Sequence, residues 1–137
     1  MAVYLSNGVV LTVNAVDLSS LVSSITINRA FDELEVTAMG DSGHRFVKGL
    51  EASSITIDFF NDADSAKTLQ TLNSSSVWGN SVTVTAKQTS AATSATNPLY
   101  TMSCLVNNTT PINGAVGDLS TQSVTWNVNG TVAITTS

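Results

Sequence analysis

The sequence lacks most of the side chains that metal sites and disulfides require. It has one histidine, one cysteine and a charged fraction of 11%, against a usual share of about 25%. A zinc site needs at least three good ligands, and one histidine with one distant cysteine cannot supply such a site. The single cysteine, Cys104, also excludes a disulfide within the chain. The sequence therefore predicts no metal and no other cofactor.

Groups for acid–base or nucleophilic catalysis are also scarce. Any Ser–His or Cys–His pair would have to use His44. Asp41, Ser42 and His44 are neighbours in one polar turn, where residues rarely reach the geometry of a catalytic triad. Carboxylates cluster at residues 32–35 and 58–64, but aromatic residues make up only 6% of the chain, so the aromatic-lined cleft of a glycosidase is not expected. The chain is interpreted as a non-enzyme with no catalytic residues.

Charge and hydrophobicity exclude further classes of protein. The net charge is −5, and the five basic residues are scattered along the chain, so stable nucleic-acid binding is not expected. A hydrophobic share of 42% in 137 residues predicts one folded domain over residues 1–137. The N-terminus lacks the cationic start of a signal peptide, and no apolar run is long enough for a membrane anchor. The protein is expected to be made in the cytosol.

Two alternating segments flank the most informative stretch, residues 33–59. In residues 33–38, Leu34 and Val36 share one face, and in residues 54–59 the apolar face carries Ile55, Ile57 and Phe59. A period of two with one apolar face predicts half-buried antiparallel strands. The connector between them, residues 40–50, is long for a hairpin, and such connections often make functional contacts.

The rest of the chain predicts further short strands. Alternation recurs in residues 8–13, 21–29, 82–87, 100–106 and 120–129, with a last edge strand at 131–134. Because only residues 30–32 separate the second of these strands from the one at 33–38, those two are expected to form a hairpin. Trp126 is predicted to be a core residue, and Cys104 a small buried apolar side chain. Trp78 fits either the core or a subunit contact.

One helix is predicted, at about residues 61–73. Ala66, Leu69 and Leu72 recur at helical spacing, and the preceding Asp62 and Asp64 are suited to capping its first turn. The same carboxylates could bind calcium, but they lack the ordered loop of an EF-hand, so capping is preferred. The predicted fold is mainly β: an antiparallel sandwich or barrel with one short helix.

Several segments together resemble the major tail tube proteins of long-tailed, non-contractile bacteriophages. They are an acidic-Val-Thr strand at 35–37, an Asp-Ser-Gly turn at 41–43, a Gly-Leu-Glu step at 49–51, and a late strand at 117–128 followed by Asn-Gly-Thr. In that family six copies form a ring, and rings stack into a hollow conduit through which DNA is ejected. The resemblance implies the tail-tube type of β-sandwich and a location in the virion tail after assembly in the host bacterial cytoplasm.

The resemblance also implies roles for particular residues. Glu33, Glu35 and Asp58 are expected to line the lumen, where negative charge prevents DNA from adhering. Contacts between subunits or rings are expected at Asp41, His44, Arg45, Phe46 and Lys48, and Trp78 is a further contact candidate because of its position after the predicted helix. The implied partners are further copies of the chain, the tape measure protein, and tail-tip and terminator proteins, with DNA present only in passage.

Two other assignments fit the same sequence. A capsid decoration protein is also a small β-rich virion component, but it binds a shell and does not form tubes. A tube protein of a related injection machine, such as a type VI secretion system, would form similar rings and lie among secretion components.

Overall fold

Antiparallel strands make up most of the structure, a computed structural model that describes residue 3 and residues 8–137. The mainly β fold with one short helix is therefore as predicted. In chain order the elements are β1 Val10–Val13, β2 Val16–Asp17, a 3-10 turn Ser19–Leu21, β3 Val22–Asn28, β4 Phe31–Glu35, β5 Phe46–Glu51, β6 Ser54–Phe60, α1 Thr68–Leu72, β7 Ser81–Lys87, β8 Leu99–Leu105, β9 Thr121–Asn127 and β10 Ala133–Thr135.

Two sheets enclose the core. One has the strand order β10-β8-β7-β1-β2, and the other has the order β3-β6-β9. The alternation in residues 54–59 is confirmed, since Ile55, Ile57 and Phe59 are all fully buried. Across from them lie the alternate apolar residues of the five-stranded sheet, which are Leu11, Val13, Val82, Val84, Ala86, Met102 and Cys104.

Trp126 anchors this core, as the sequence predicts. Its side chain is fully buried, and its ring centroid lies 6.5 Å from that of Phe59. The indole Nε1 donates a hydrogen bond of 3.2 Å to the carbonyl oxygen of Asn108, so its polar atom is satisfied inside the protein. Cys104 is buried as predicted, and this burial raises the pKa of its thiol to about 12.

The prediction of a hairpin between residues 21–29 and 33–38 is wrong. β3 pairs with β6, and β4 pairs with β5, so β3 and β4 are successive parts of one long strand. The residues between them continue the strand instead of reversing it. Ala30 is still paired there, because its carbonyl oxygen accepts a hydrogen bond from Ala52 N at 2.7 Å.

The predicted helix is much shorter than expected. α1 covers only Thr68–Leu72, and Ala66 lies before it, exposed and with a φ of 59°. The predicted capping is wrong, since the N-cap is Lys67 and makes no side-chain cap bond. Asp62 instead accepts a hydrogen bond from Asp64 N, which stabilises a turn before the helix. Within the described residues, no helix has the length and hydrophobicity needed to span a membrane.

Candidate assembly surfaces

A β-hairpin extends beyond the core sheets, and it contains the segment that the sequence singled out. We call residues 31–51, which comprise β4, β5 and their connection, the arm. β4 and β5 form a two-stranded sheet of their own. At the base of the arm this sheet continues the pairing of β3 with β6. The arm is thus the outer half of one long hairpin.

The arm differs from the sequence prediction in two ways. The predicted connector, residues 40–50, contains a strand, because β5 begins at Phe46. The half-buried face expected for residues 33–38 is absent, since every residue of β4 is exposed. Period two correctly indicated a strand, but it could not tell whether another surface of the same chain covers the apolar face.

Large apolar side chains are uncovered along the arm. Their exposed fractions range from 43% for Val36 to 103% for Met39. Exposed large apolar side chains concentrated on one element in this way are uncommon on monomers and mark sites that contact other molecules. The seven residues concerned are Phe31, Leu34, Val36, Met39, Phe46, Val47 and Leu50.

The tip of the arm is held by polar contacts. His44 Nδ1 lies 2.6 Å from Glu35 Oε2, and Thr37 Oγ1 donates to the same oxygen at 2.8 Å. These hydrogen bonds, that of His44 first, lower the pKa of the Glu35 carboxyl. Asp41 accepts a hydrogen bond of 2.8 Å from Ala38 N, and it lies 3.8 Å from Arg45 Nη1. The tip therefore has a defined shape.

A second carboxylate fixes the base of the arm to the domain. Glu51 Oε2 accepts hydrogen bonds from Ser53 Oγ at 2.7 Å and from Val132 N at 2.9 Å. Its pKa is lowered by Ser53, by Val132 N, and then by the nearby charges of Arg29 and Lys48. The base of the arm is thereby linked to the C-terminal segment that leads into β10.

The three acidic residues predicted to line a lumen lie in two places. Glu33 and Glu35 are on β4, whereas Asp58 is on β6, opposite Ser24. Glu33 is nine residues further along the hairpin than Ser24, about 30 Å at the usual rise of a strand. Strand alternation also puts Asp58 on the opposite face from the two glutamates. A single copy therefore does not bring the three carboxylates together.

Five of the six predicted contact residues lie on the arm and are exposed: Asp41, His44, Arg45, Phe46 and Lys48. Two of their side chains contact aromatic rings, with Lys48 Nζ 5.5 Å from the ring centroid of Phe31 and the His44 ring 6.4 Å from that of Phe46. Trp78 lies outside the arm, after α1, and is 48% exposed. It is therefore not a core residue of the single chain.

The outer face of the three-stranded sheet is polar and nearly uncharged. Its central row pairs Thr26 with Thr56 and Thr56 with Thr125, whose hydroxyl oxygens lie 3.0 Å apart. Asp58 is the single charged residue at the outward positions of β3, β6 and β9, all of which are described. The remaining outward residues are Ser24, Asn28, Ser54, Phe60, Thr121, Ser123 and Asn127.

The two edges of this sheet differ. Along β9, the side-chain amides of Asn108 and Asn113 donate to the carbonyl oxygens of Thr125 and Thr121, at 3.1 and 2.9 Å. These contacts occupy backbone groups that another strand would need. Along β3, the alternation of paired positions directs the backbone groups of Ile25 and Ile27 away from β6. The edge at β3 is the more open one.

A cleft of about 730 Å³ lies beside this open edge, between β3 and the ends of β7 and β8. Ile25, Ile27 and Tyr100 line it, together with the cationic Arg29 and Lys87. Its lining includes no carboxylate, histidine or cysteine among the described residues. Nor does the described part of the chain hold a group of three His, Cys, Asp or Glu residues that could bind a metal ion.

One exposed apolar surface was missed by sequence reasoning. In the loop at residues 107–120, Ile112 and Val116 are almost fully exposed, and Leu119 is 69% exposed. The signal was present, because these apolar residues stand among turn formers such as Gly114 and Gly117.

No protein-family model matches the chain, and a search of curated proteins finds no match. The functional assignment therefore depends on the arm, the polar sheet face and the open edge.

Proposed function

We propose that this protein is a structural subunit that assembles with copies of itself, as the major tail tube protein of a long-tailed, non-contractile phage does. The observation that carries the proposal is the arm, a hairpin that projects from a well-packed domain with seven large apolar side chains uncovered. Covering those side chains against another copy removes apolar surface from water. This burial stabilises the contact by a free energy of about 25 cal/mol for each Å² buried.

The geometry of the arm favours a heterologous contact. The arm lies at one end of the three-stranded sheet, and in the proposed assembly it meets a different surface of the next copy. Contacts of this kind close into rings when they repeat by rotation, and extend into filaments when they repeat by translation. Both operations are needed for a tube, and in the proposed assembly the open edge at β3 contributes to the ring while the arm reaches the adjacent ring.

The outer face of the three-stranded sheet suits a bore through which DNA moves. Its outward positions carry hydroxyl and amide groups, one carboxylate at Asp58, and neither lysine nor arginine. Phosphate contacts by basic residues dominate DNA affinity, so a wall without them leaves DNA free to pass. In the proposed tube Asp58 faces this bore, whereas Glu33 and Glu35, on the opposite face of the long strand, lie at the contact between rings.

The proposal includes partners and a location. Copies of the chain form six-membered rings that stack into the virion tail, with the tape measure protein inside the tube and tail-tip and terminator proteins at its ends. DNA is a passenger and is not tightly bound. Arg45 and Lys48 contribute specificity at the contact between rings, where charged side chains fix the register of partners.

The test is direct observation of assembly. We expect the purified protein to form rings or hollow tubes in electron micrographs, and to sediment as large species whose proportion rises with protein concentration. A protein that stays monomeric at all concentrations contradicts the proposal. Compact trimers that bind phage capsids would instead identify a decoration protein.

A paired variant tests the role of the arm. Leu34 and Val47 are directly paired across β4 and β5, and both are about half exposed. The double variant Leu34→Ser/Val47→Ser should abolish tubes without changing the circular dichroism spectrum or the melting temperature. As a matched control, Leu105→Ser removes a comparably exposed leucine on β8 and should still form tubes. Normal tubes from the arm variant would show that the arm is not the contact.

A further inference from the structure

We infer that the loop at residues 107–120 is the surface that receives the tip of the arm from a second copy of the chain. The inference deepens the proposed function and rests on it, because it names the receiving side of the contact between rings. It depends on the exposed apolar side chains of the loop, on the hydrogen bonds that order it, on its position relative to the arm, and on its charge.

The loop exposes large apolar side chains that its own chain leaves uncovered. Ile112, Val116 and Leu119 have exposed fractions of 91%, 106% and 69%, which exceed those of most residues on the arm. The tip of the arm offers a matching surface, since Met39 is also fully exposed and Val36 is 43% exposed. Each surface has the apolar area that the other requires.

The loop is ordered by a buried polar side chain. Gln122 is 2% exposed, and its Oε1 accepts hydrogen bonds from Thr109 Oγ1 at 2.8 Å and Thr110 N at 2.9 Å. Its Nε2 donates to Asn61 Oδ1 at 2.8 Å, and Asn61 Nδ2 donates to Ser120 Oγ at 2.9 Å. Both ends of the apolar segment are therefore fixed to the sheet. A surface already ordered before contact loses less conformational entropy when a partner binds.

The loop and the arm lie at opposite ends of β6. The arm joins the N-terminal end of this strand through Glu51. Asn61, which follows the last residue of β6, bonds to Thr110 and Ser120 at the two ends of the apolar segment. The intervening seven-residue strand separates them by about 20 Å. Copies stacked along the direction of β6 therefore bring the arm of one to the loop of the next.

One salt bridge can form between the two surfaces. Asp118 is the single charged residue in the loop, and it is exposed. Near the tip of the arm the Arg45 side chain is 66% exposed, and Asp41, 3.8 Å away, is its ion-pair partner within the chain. An exposed pair between Arg45 and Asp118 adds little affinity but fixes which surfaces meet.

Removal of the loop's apolar side chains tests the contact. Both Ile112 and Val116 are exposed, so Ile112→Ser/Val116→Ser should leave the melting temperature unchanged. We expect the variant to form unstacked rings, and to need a protein concentration about tenfold higher or more before tubes form. If the natural sequence forms tubes and this variant forms them equally well, the loop is not the receiving surface, although the proposed function stands. If the natural sequence forms neither rings nor tubes, the proposed function itself fails.

Exchange of the two charges provides a rescue test. Asp118→Arg and Arg45→Glu should each raise the concentration at which tubes form, because each places like charges in contact. The double variant restores opposite charges and should assemble more readily than either single variant. Additive losses in the double variant would contradict the pairing of these residues.

Mixing two defective variants tests the head-to-tail geometry. The arm variant Leu34→Ser/Val47→Ser keeps an intact loop, and Ile112→Ser/Val116→Ser keeps an intact arm. Neither should stack alone, but an equimolar mixture should give stacks two rings deep, since only one of the two junctions is intact. Stacks of unlimited length, or no stacks, would contradict the inferred contact.

Discussion

His44 Nδ1 lies 2.6 Å from Glu35 Oε2, and this contact joins the last residue of β4 to the connection that precedes β5. Thr37 Oγ1 donates to the same carboxylate oxygen, so Glu35 is the centre of the polar contacts at the tip. Because the tip has no buried core, its order depends on these surface contacts.

The first prediction concerns pH. The contacts with His44 and Thr37 hold the pKa of Glu35 below its ordinary value of 4.5, so the folded arm binds this proton less tightly than the unfolded chain. A carboxylate of this kind stabilises the fold above its unfolded pKa, and the stabilisation is lost as the pH falls through the folded pKa. Nuclear magnetic resonance of the Glu35 carboxyl carbon should give a midpoint below 4.5. In His44→Ala the midpoint should move up towards 4.5, and an unchanged midpoint would exclude the contact in solution.

The core strands could be predicted from sequence because their pattern and their burial agree. Ile55, Ile57 and Phe59 alternate with polar residues, and the sheet buries one face of their strand. Trp126 follows the same rule with Val124 and is fully buried. In these strands the period of the hydrophobic residues is sufficient to predict both the strand and its buried face.

The arm could not be predicted in the same way. β5 contains Val47, Lys48, Gly49 and Leu50 in succession, which is not an alternating pattern, and both of its faces meet solvent. A strand in a two-stranded extension need not have one apolar face, because neither of its faces packs on a core. The wrong prediction of a hairpin between β3 and β4 has a related cause. A short irregular link between two strands suggests a turn when the partners of those strands are not known. Here the paired residues are 26 to 37 positions apart for β3 and β6, and 11 to 20 positions apart for β4 and β5.

The two tryptophans should respond differently to removal. Trp126→Ala should lower the free energy of unfolding by about 3–5 kcal/mol, because it leaves a large cavity beside Phe59. Trp78→Ala should lower it by less than about 1 kcal/mol, since Trp78 is half exposed. Urea denaturation of monomeric protein measures both. If Trp126→Ala does not fold, Trp126→Phe should fold and show a smaller loss, and equal losses at the two positions would contradict the structure.

Cys104 should be unreactive in the folded protein. Its pKa is raised to about 12 by burial, so at pH 8 only about one thiol in ten thousand is ionised. Native protein should react with iodoacetamide at the rate at which it unfolds, whereas urea-unfolded protein should react at the rate of a free thiol. Rapid labelling without denaturant would show that the face formed by β7 and β8 opens locally.

The last prediction uses two glycines of the arm that differ in their surroundings. A Cβ atom at Gly49 would lie 2.8 Å from the backbone oxygen of Asp32 and 3.0 Å from its Cβ, at the point where the register of β4 and β5 shifts. Gly43 is in the same arm, and a Cβ there would have no atom within 4 Å. Neither glycine has a positive φ, so the substitutions differ in steric contact.

Gly49→Ala should therefore separate β4 from β5 at a cost of about 1–3 kcal/mol, while Gly43→Ala leaves the arm unchanged. Hydrogen exchange under monomeric conditions should show faster exchange at Leu34 and Val36 in Gly49→Ala only, with the amides of β6 as protected as before. The melting temperature of the domain should not change, because the arm has no core of its own. Since an intact arm is the proposed means of assembly, Gly49→Ala should also form fewer tubes than Gly43→Ala. Equal exchange and equal assembly in the two variants would mean that the close contact at Asp32 does not hold the arm in shape.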